Sequence, residues 1–440
     1  MGLENILFIV AFAAAVFLFS KNLKAIIRNI NLGKDVDISD NKPERWKKMI
    51  LVAIGQSKMV VKPISGLMHI IVYAGFIIIN IEVLEIIIDG IFGTHRIFAA
   101  PLGSFYDFLI GTFEVLAFLV LIAITVFFVR RNFMTIKRFG MREMFGWPKT
   151  DANIILIVEV LLMGAFLSMN AADQILQARG ADHYAVAGSY PISQFLVPLL
   201  DGSSSETLIV LERATWWFHI LGILAFLNYL PYSKHFHIML AFPSVFYSKL
   251  KPRAEFDNMD SVKKEVEMMF DPDADPYAAP AEPEGPVERF GAKDVADLNW
   301  KQLMDSYSCT ECGRCSEQCP ASQTGKLLSP RKIMMDTRDR LEEVGKGIDK
   351  NGKDFSDGKS LLGDYISEEE LWACTTCNAC VDACPIELNP LSIIMDMRRS
   401  LVMEESKIPS ELAGMITNIE NNGAPWQFSQ TDRANWVNEG

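Results

Sequence analysis

The sequence predicts an all-α protein in which a bundle of five transmembrane helices precedes a smaller helical domain. Five apolar runs lie in the first 240 residues, each near the length that a hydrocarbon core of about 30 Å requires. Eight cysteines, all that the chain contains, form two groups nearer the C-terminus. The residues between these groups show the spacing of helices, which indicates a helical domain around them.

The two halves of the 440-residue chain differ in polarity. Half of all residues are hydrophobic, yet the formal net charge is −12. The acidic residues lie largely after residue 253, whereas the apolar runs precede it, so the charge describes a water-exposed region. A negative balance also argues against nucleic acid as a partner.

The apolar runs predict spans at about 3–20, 64–88, 105–129, 151–170 and 208–231. No basic residue precedes the first run, and Lys21, Lys24 and Arg28 follow it. This order differs from that of a cleavable signal peptide, so we expect a first helix that is retained in the membrane.

Basic residues in the connecting segments predict the orientation. Residues 21–62 and 130–149 are rich in Lys and Arg, whereas 89–104 and 171–207 contain only Arg96 and Arg179. Basic loops remain on the cytoplasmic side. We therefore expect a multi-pass protein of the inner (cytoplasmic) membrane with its N-terminus outside and its cysteine-containing region in the cytoplasm.

The eight cysteines form two copies of one motif. Residues 309–320 read C-T-E-C-G-R-C-S-E-Q-C-P, and residues 374–385 read C-T-T-C-N-A-C-V-D-A-C-P. This spacing is typical of paired bacterial [4Fe–4S] clusters, in which the fourth cysteine ligates the other cluster. Zinc favours separated pairs of ligands, and disulfides need an oxidising compartment, so both fit less well. The expected ligand sets are Cys309, Cys312, Cys315 and Cys384 for one cluster, and Cys374, Cys377, Cys380 and Cys319 for the other.

Histidines within the apolar region indicate haem b. His69 lies near the cytoplasmic start of the second span, and His219 lies in the outer part of the fifth. Polar rings at membrane depth are usually functional, and neutral imidazole is a common haem ligand. Eighteen residues of helix would separate His219 from His237 by about 27 Å, which suits haems at two depths. We expect His69 to share an inner haem with His237 or His235.

An outer haem would need a second ligand beside His219. His95, just beyond the second span, is the candidate, and His183 in the long outer loop is a weaker one. Both are also consistent with solvated loop residues. The sequence therefore predicts one or two haem b groups.

Four carboxylates lie within or near the predicted spans. Glu114 and Glu159 are equally consistent with a proton path to a quinone and with a structural role. Glu82 and Glu85 lie close to the outer end of the second span, where a helix-end residue facing loop water or a polar neighbour is favoured.

These patterns divide the chain into four parts. Residues 1–240 form the membrane region, and 241–290 a membrane-face segment followed by an acidic, Pro-rich linker over 271–286. Residues 291–400 form the cluster domain, in which the Gly-rich stretch 345–363 is expected to be an exposed loop. Residues 401–440 are expected to dock a partner, because Trp426 and Trp436 are of the kind enriched at interfaces.

On these residues, the membrane region resembles the haem b subunit of respiratory nitrate reductases and the cytochrome b subunits of heterodisulfide reductase-like complexes. Five spans, His69, and the pair His219 and His237 with the basic, aromatic segment 231–237 carry the likeness. The nitrate reductase family has two histidines in the second span, whereas His69 is the one present here. This departure leaves the outer haem open.

The cluster domain resembles the α-helical ferredoxin domains of succinate dehydrogenase, heterodisulfide reductase and glycolate oxidoreductase subunits. In these families the domain is a relay and not a catalytic centre. Residues 418–426 resemble the segment that joins such a domain to a cysteine-rich CCG-type domain. Because no cysteine follows Cys384, we expect a CCG domain on another polypeptide.

No dinucleotide-binding fingerprint or hydrolase triad is present. The resemblance implies an oxidoreductase subunit that links the quinone pool, with menaquinone as the expected quinone, through b haem and two clusters to a cytoplasmic partner of CCG-domain or flavoprotein type. Main substrate catalysis would lie on that partner. Two alternatives stay open: the membrane anchor of a lactate- or glycolate-type dehydrogenase that reduces quinone, and a haem-free structural or sensor iron–sulfur membrane protein.

Overall fold

The computed structural model describes residues 2–252, 255–272 and 289–438. Across these residues it contains no β-strand, only two isolated bridges, so the all-α prediction is confirmed. Five helices are long and apolar enough to cross a membrane. They are α1 (Leu3–Ile30), α2 (Pro63–Phe92), α3 (Ser104–Asn132), α4 (Trp147–Ala178) and α5 (Ser205–Tyr229).

Each of the five helices is longer than the apolar run that predicted it. Helix α1, for example, continues past residue 20 to Ile30. Its last turns carry Ile26 and Ile30, which are buried in the core of the second domain. Tertiary packing therefore extends the helix beyond the segment that a membrane alone would require.

Local sequence accounts for where the helices end. Pro63 occupies the first turn of α2, where its missing N–H is not needed. Gly93 ends the same helix with a φ of 72°, a left-handed conformation that favours glycine. At the start of α5, the Ser204 side chain accepts a hydrogen bond from the Thr207 N–H at 3.3 Å.

The five helices pack as one bundle. Helix α4 lies between α5 and α3, α2 packs against α3, and α1 contacts α2 and α5. Phe8, Ile110 and Ile220 are fully buried in its core. A Cβ added at Gly222 would lie 2.7 Å from Leu162 Cδ2, so this glycine allows α5 to approach α4 closely.

We call the end of the bundle formed by the segments 31–62, 133–146 and 230–252 the proximal end, and the opposite end the distal end. The proximal end leads through α6 (His237–Phe246) to the second domain, which contains α7 (Trp300–Ser308), α8 (Pro330–Asn351), α9 (Pro390–Met403) and α10 (Ser410–Asn422). The shorter α-helices are Lys42–Met49, Ala99–Leu102, Val197–Leu200, Asp260–Phe270, Arg314–Gln318, Pro320–Gln323, Glu368–Trp372, Ala379–Ala383 and Asn435–Asn438.

The second domain packs directly on the proximal end of the bundle. Ile30, Leu230 and Phe236 belong to the same hydrophobic core as Leu303 and Ile333. The backbone continues this contact, because the Lys34 N–H donates to the Leu298 carbonyl at 2.7 Å and the Trp300 N–H to the Lys34 carbonyl at 3.0 Å. The two regions therefore share one core.

Two expectations about connecting segments have different outcomes. The stretch 345–363 is not a continuous exposed loop, because α8 runs to Asn351 and Gly345 lies against Asn29 of α1. Leu361 and Leu362, farther along it, are buried. The acidic, Pro-rich linker predicted at 271–286 lies outside the described residues, apart from its first two positions.

Helix α10 and the residues after it are largely exposed. No residue of α10 is buried. Met415, Ile416 and Ile419 share one of its faces, and Trp426 and Trp436 are also exposed. The predicted role of this tail in docking a partner stays a prediction.

Candidate iron–sulfur and haem centres

The two cysteine motifs fold into the same local shape. Glu311 and Gly313 in the first motif have φ values of 55° and 71°, and Thr376 and Asn378 in the second have 56° and 60°. These residues occupy equivalent places, two and four positions after the first cysteine. Left-handed residues at these positions reverse the chain so that closely spaced thiols can face one centre.

The structure gathers the cysteines in two crossed groups. A cavity of about 390 Å³ is lined by Cys309, Cys312 and Cys315 of the first motif and by Cys384 of the second, with Cys380 at its edge. We call these first four residues the first cluster site. The short helices Arg314–Gln318 and Ala379–Ala383 pack against each other and hold the motifs together.

The second group forms around the fourth cysteine of the first motif. Cys319 and Cys377 both lie close enough to Cys374 and Cys380 for their thiols to interact electrostatically. We call these four residues the second cluster site. Cys377 is exposed, whereas Cys319 and Cys380 are buried, so this site has an edge at the protein surface.

The chemistry of the thiols fits iron–sulfur clusters. Burial raises the pKa of the Cys309, Cys380 and Cys384 thiols to about 12, so thiolates here need the positive charge of bound metal. Within the described residues, no three Cys, His, Asp or Glu side chains converge on a single-ion site. A four-iron cluster is larger than one ion, and its ligands accordingly lie farther apart.

Three histidines meet at the proximal end of the bundle. The ring centroids of His69 and His237 lie 6.5 Å apart, and those of His235 and His237 lie 5.5 Å apart. We call these residues the proximal histidine group. Burial lowers the pKa of His235 to about 3 and also lowers the pKa of His237, so both rings are neutral at physiological pH.

The spacing of His69 and His237 suits two axial ligands of one haem iron. Two imidazoles bound to opposite faces of a metal at about 2 Å place their centroids on the order of 6 Å apart. His237 Nδ1 contacts the Lys234 carbonyl at 3.0 Å, which leaves Nε2 for a metal. His69 Nδ1 is buried without a hydrogen-bond partner within the protein.

A buried ion pair joins the proximal histidine group to the first cluster site. Lys234, whose carbonyl contacts His237, places its ammonium against Glu311, between Cys309 and Cys312. Glu311 also accepts a hydrogen bond from Arg338 at 2.9 Å. Burial by itself raises the pKa of Glu311, but the two cations outweigh burial and lower the pKa below its ordinary value.

Arginines fasten the cluster domain to the loop between α3 and α4. Arg331 is fully buried and donates hydrogen bonds to the Glu143 carboxylate and to the Arg138 carbonyl, both at 2.8 Å. Arg138 in turn bonds Glu317 at 2.7 Å. These contacts surround the first cluster site with fixed charges from the proximal loops.

The structure places His219 and His95 in different surroundings. His219 is buried, its Nδ1 contacts the Leu162 carbonyl at 2.9 Å, and its ring lies 6.0 Å from that of Phe166. His95 lies instead beside His183, with ring centroids 5.5 Å apart. No ring contact joins His95 to His219 among the described residues, so the structure does not bring together the pair expected for an outer haem.

The carboxylates of the spans are mostly buried in a polar network at the distal end. Its centre is Arg96, which donates to Asp173 at 2.6 Å, to Asn170 at 2.8 Å and to the Tyr106 hydroxyl at 3.1 Å. Glu85 accepts from the same hydroxyl at 2.8 Å.

Glu114 and Glu159 differ in their surroundings. Glu114 is fully buried and accepts hydrogen bonds from Asn170 and from the backbone of Ile192 and Ser193. Glu159 is half-buried, and no hydrogen bond or ion pair to it occurs within the described part of the chain. The network therefore includes Glu114 and leaves Glu159 aside.

Sequence reasoning missed the charged residues that connect these centres. Lys234, Glu311, Arg331 and Glu143 lie in loops and a helix start, where charge is ordinarily solvated. Arg96 stood out only as the single basic residue of its loop. Its isolation beside Asp89 and the span carboxylates was the signal that could have indicated a buried network.

Comparisons with known proteins cover these regions unevenly. Residues 308–388 match the family described as a 4Fe-4S dicluster domain. This range contains both cysteine motifs, so the expectation of two clusters of the [4Fe–4S] type is supported by the family as well as by the spacing. No solved structure matches the chain.

Three curated relatives place the chain among iron–sulfur oxidoreductases. It is 29% identical to the probable iron-sulfur-binding oxidoreductase FadF of Bacillus subtilis over 99% of this chain and 61% of that protein. It is 27% identical to the EtfAB:quinone oxidoreductase of Syntrophomonas wolfei over 92% and 55% of the two chains. It is 31% identical to one subunit of a ferredoxin/F(420)H(2)-dependent CoB-CoM heterodisulfide reductase of Methanosarcina acetivorans over 27% and 60%. The chain thus spans a little over half the length of the first two relatives.

Proposed function

We propose that this protein is a membrane-bound cytochrome b/iron–sulfur subunit that carries electrons between a quinone and an oxidoreductase partner. The observation that carries the proposal is the direct link between two redox-competent groups of ligands. His237 and Glu311 contact the same residue, Lys234, so the proximal histidine group and the first cluster site lie side by side. Such proximity is what electron transfer between two bound centres requires.

The cysteines would hold two [4Fe–4S] clusters with the crossed ligand sets given above. Bound clusters supply one-electron redox chemistry, tuned by charge and hydrogen bonds around the sulfurs. The chain's own residues set that environment: Glu311 beside the first site, and Arg398, which donates to the Cys374 carbonyl at 2.5 Å, beside the second. The exposed Cys377 edge faces outward, where a partner can approach.

His69 and His237 would hold one haem b, with His235 as the neighbouring alternative ligand. Haem bound there supplies a one-electron centre close to the membrane boundary. The Lys234 carbonyl orients the His237 ring, and the buried Phe236 packs the segment into the shared core. A second haem would use His219, and its opposite ligand stays unassigned.

The partners are inferred from chemistry and from the names of the relatives. Quinone, of the menaquinone type in our proposal, is supported by the relative named EtfAB:quinone oxidoreductase. A soluble partner of CCG-domain or flavoprotein type is supported by the heterodisulfide reductase relative. The basic proximal loops support an inner-membrane location with the cluster domain in the cytoplasm.

Metal and haem quantification on the purified protein, with a reduced-minus-oxidised spectrum, tests this function. We expect about eight non-haem irons per chain from two clusters, together with one or two b haems. A preparation with the expected non-haem iron but no haem absorbance would contradict the cytochrome and favour the haem-free iron–sulfur membrane protein. Reduction of the centres by a quinol, measured by the same spectrum, tests the quinone link.

A further inference from the structure

A cavity of about 310 Å³ lies within the distal half of the bundle, between α2, α4 and α5. We call it the distal chamber. Its volume is at the lower end of the range for small-molecule sites, about 300–1,000 Å³. Its apolar walls include Ile86, Met169 and Trp216. Glu82 is ten residues from the end of α2, so the chamber lies roughly 15 Å inside the distal end of that helix.

Five carboxylates line the distal chamber, and four of them are saturated by the protein. Glu85 accepts from the Phe98 N–H and the Tyr106 hydroxyl at 2.9 and 2.8 Å. Asp173 accepts from Arg96 and Gln177. The Asp89 and Glu212 carboxylates likewise accept hydrogen bonds, from Thr94 and the Arg96 N–H and from Tyr184 and Arg213, respectively.

Glu82 differs from the other four carboxylates. It is 3% exposed, and its Oε2 has no hydrogen-bond partner within the protein. Its Oε1 lies 3.9 Å from the Arg96 guanidinium, which compensates part of the negative charge without satisfying the second oxygen. A buried carboxylate oxygen without a donor is costly, so a ligand that brings a hydroxyl or N–H would be bound there.

The position of the chamber relates it to His219. Trp216, in its wall, precedes His219 by three residues on α5, about 4.5 Å along the helix axis. Met169, opposite, lies one turn beyond Phe166, whose ring contacts that of His219. The chamber thus borders the part of the bundle in which an outer haem would lie.

We propose that the distal chamber binds the head group of a quinol, with a ring hydroxyl donating a hydrogen bond to Glu82 Oε2. The aromatic and apolar walls suit the ring, and the unsatisfied carboxylate oxygen suits the hydroxyl. Arg96 holds the Glu82 side chain in place through its contact with Oε1. The inference rests on the proposed function, since it assigns a site to the quinone that this function requires.

Binding of a fluorescent quinol analogue tests the site. The full-length protein, purified in detergent, is titrated with 2-heptyl-4-hydroxyquinoline N-oxide, whose fluorescence is quenched on binding. Glu82→Gln keeps the shape of the side chain but removes the charged acceptor, and we expect at least about tenfold weaker binding. Met169→Trp fills the chamber and should abolish binding. Iron and haem contents equal to those of the parent show that both variants are folded.

Glu159→Gln is the matched control, because it makes the same change in a membrane helix outside the chamber; its affinity should equal that of the parent. Parent-like binding by both Glu82→Gln and Met169→Trp would overturn the site while leaving the quinone link intact. A parent that neither binds the analogue nor is reduced by a quinol would overturn the quinone link itself, and this inference with it.

Discussion

Lys234 forms a buried ion pair with Glu311, and this contact joins the membrane bundle to the cluster domain. The two side chains are 7% and 2% exposed. The Lys234 ammonium also donates to the Pro148 carbonyl at 2.6 Å, at the start of α4. One residue therefore connects the segment that carries His237, a membrane helix and the loop between Cys309 and Cys312.

Lys234→Met should lower the stability of the folded protein substantially. Removing one partner from a buried ion pair typically costs about 3–5 kcal/mol, because the other charge stays buried. Arg338 still contacts Glu311, so the lower part of this range is expected. The midpoint of thermal unfolding in detergent measures the effect.

Lys407→Met is the control for this change, because the Lys407 side chain is 53% exposed and its ion pairs should contribute little. The double variant Lys234→Met/Glu311→Gln should lose less than the sum of the single changes. Equal midpoints for Lys234→Met and Lys407→Met would contradict the role assigned to the buried pair.

Cysteine variants test the crossed cluster ligands. Cys319→Ser should damage the second cluster site, although Cys319 belongs to the first motif. Electron paramagnetic resonance of the reduced protein gives the readout, with Cys377→Ser and Cys312→Ser as references for loss of the second and first clusters. The Cys319→Ser spectrum should match that of Cys377→Ser, and Cys384→Ser should match Cys312→Ser. The reverse pairing would establish uncrossed ligand sets.

His69→Ala should remove the proximal haem. The Nε2–iron bond is lost, and Ala supplies no replacement ligand in the buried helix position. The reduced-minus-oxidised spectrum and the haem content per chain measure the loss, while the non-haem iron content should be unchanged. His183→Ala, in the loop at the distal end, is the matched control. A His69→Ala spectrum identical to that of the parent would refute this ligand.

The Glu143–Arg331 contact should make part of the stability dependent on pH. Burial by itself raises the pKa of Glu143, but Arg331 and a hydrogen bond from Ser329 outweigh burial and hold the pKa below its ordinary value of 4.5. A lowered carboxyl pKa contributes stability above the ordinary value, and this contribution is lost as the pH falls through the lower, folded-state pKa.

Glu143→Gln should therefore be less stable than the parent at pH 7, by about 3 kcal/mol, because Arg331 stays buried without its counter-charge. The difference between the two unfolding midpoints should shrink as the pH approaches and passes below 4.5. Acid damage to the clusters affects parent and variant alike, so the difference isolates the carboxyl. A difference independent of pH would show that Glu143 acts through shape and not through charge.

Local patterns along the chain were enough to identify the elements of this protein. Apolar runs of spanning length required helices, since a backbone in lipid must satisfy its own hydrogen bonds. The spacing of Cys309, Cys312 and Cys315 indicated the type of centre, because the spacing of ligands in a short loop is a local property. His69 and His237 stood out because polar rings are rare in apolar segments.

How these elements meet depends on packing between distant parts of the chain. Residues far apart in sequence, such as Lys234 and Glu311 or Arg96 and Asp173, become partners through contacts that no local pattern encodes. The stretch 345–363 was misjudged for the same reason, since glycine signals a loop locally but here admits the close approach of Asn29. Glu82 was expected to serve the helix end, and its unsatisfied, buried oxygen became visible only when the hydrogen bonds of all its neighbours were known. Burial depends on the whole fold, and so does the chemistry of a buried charge.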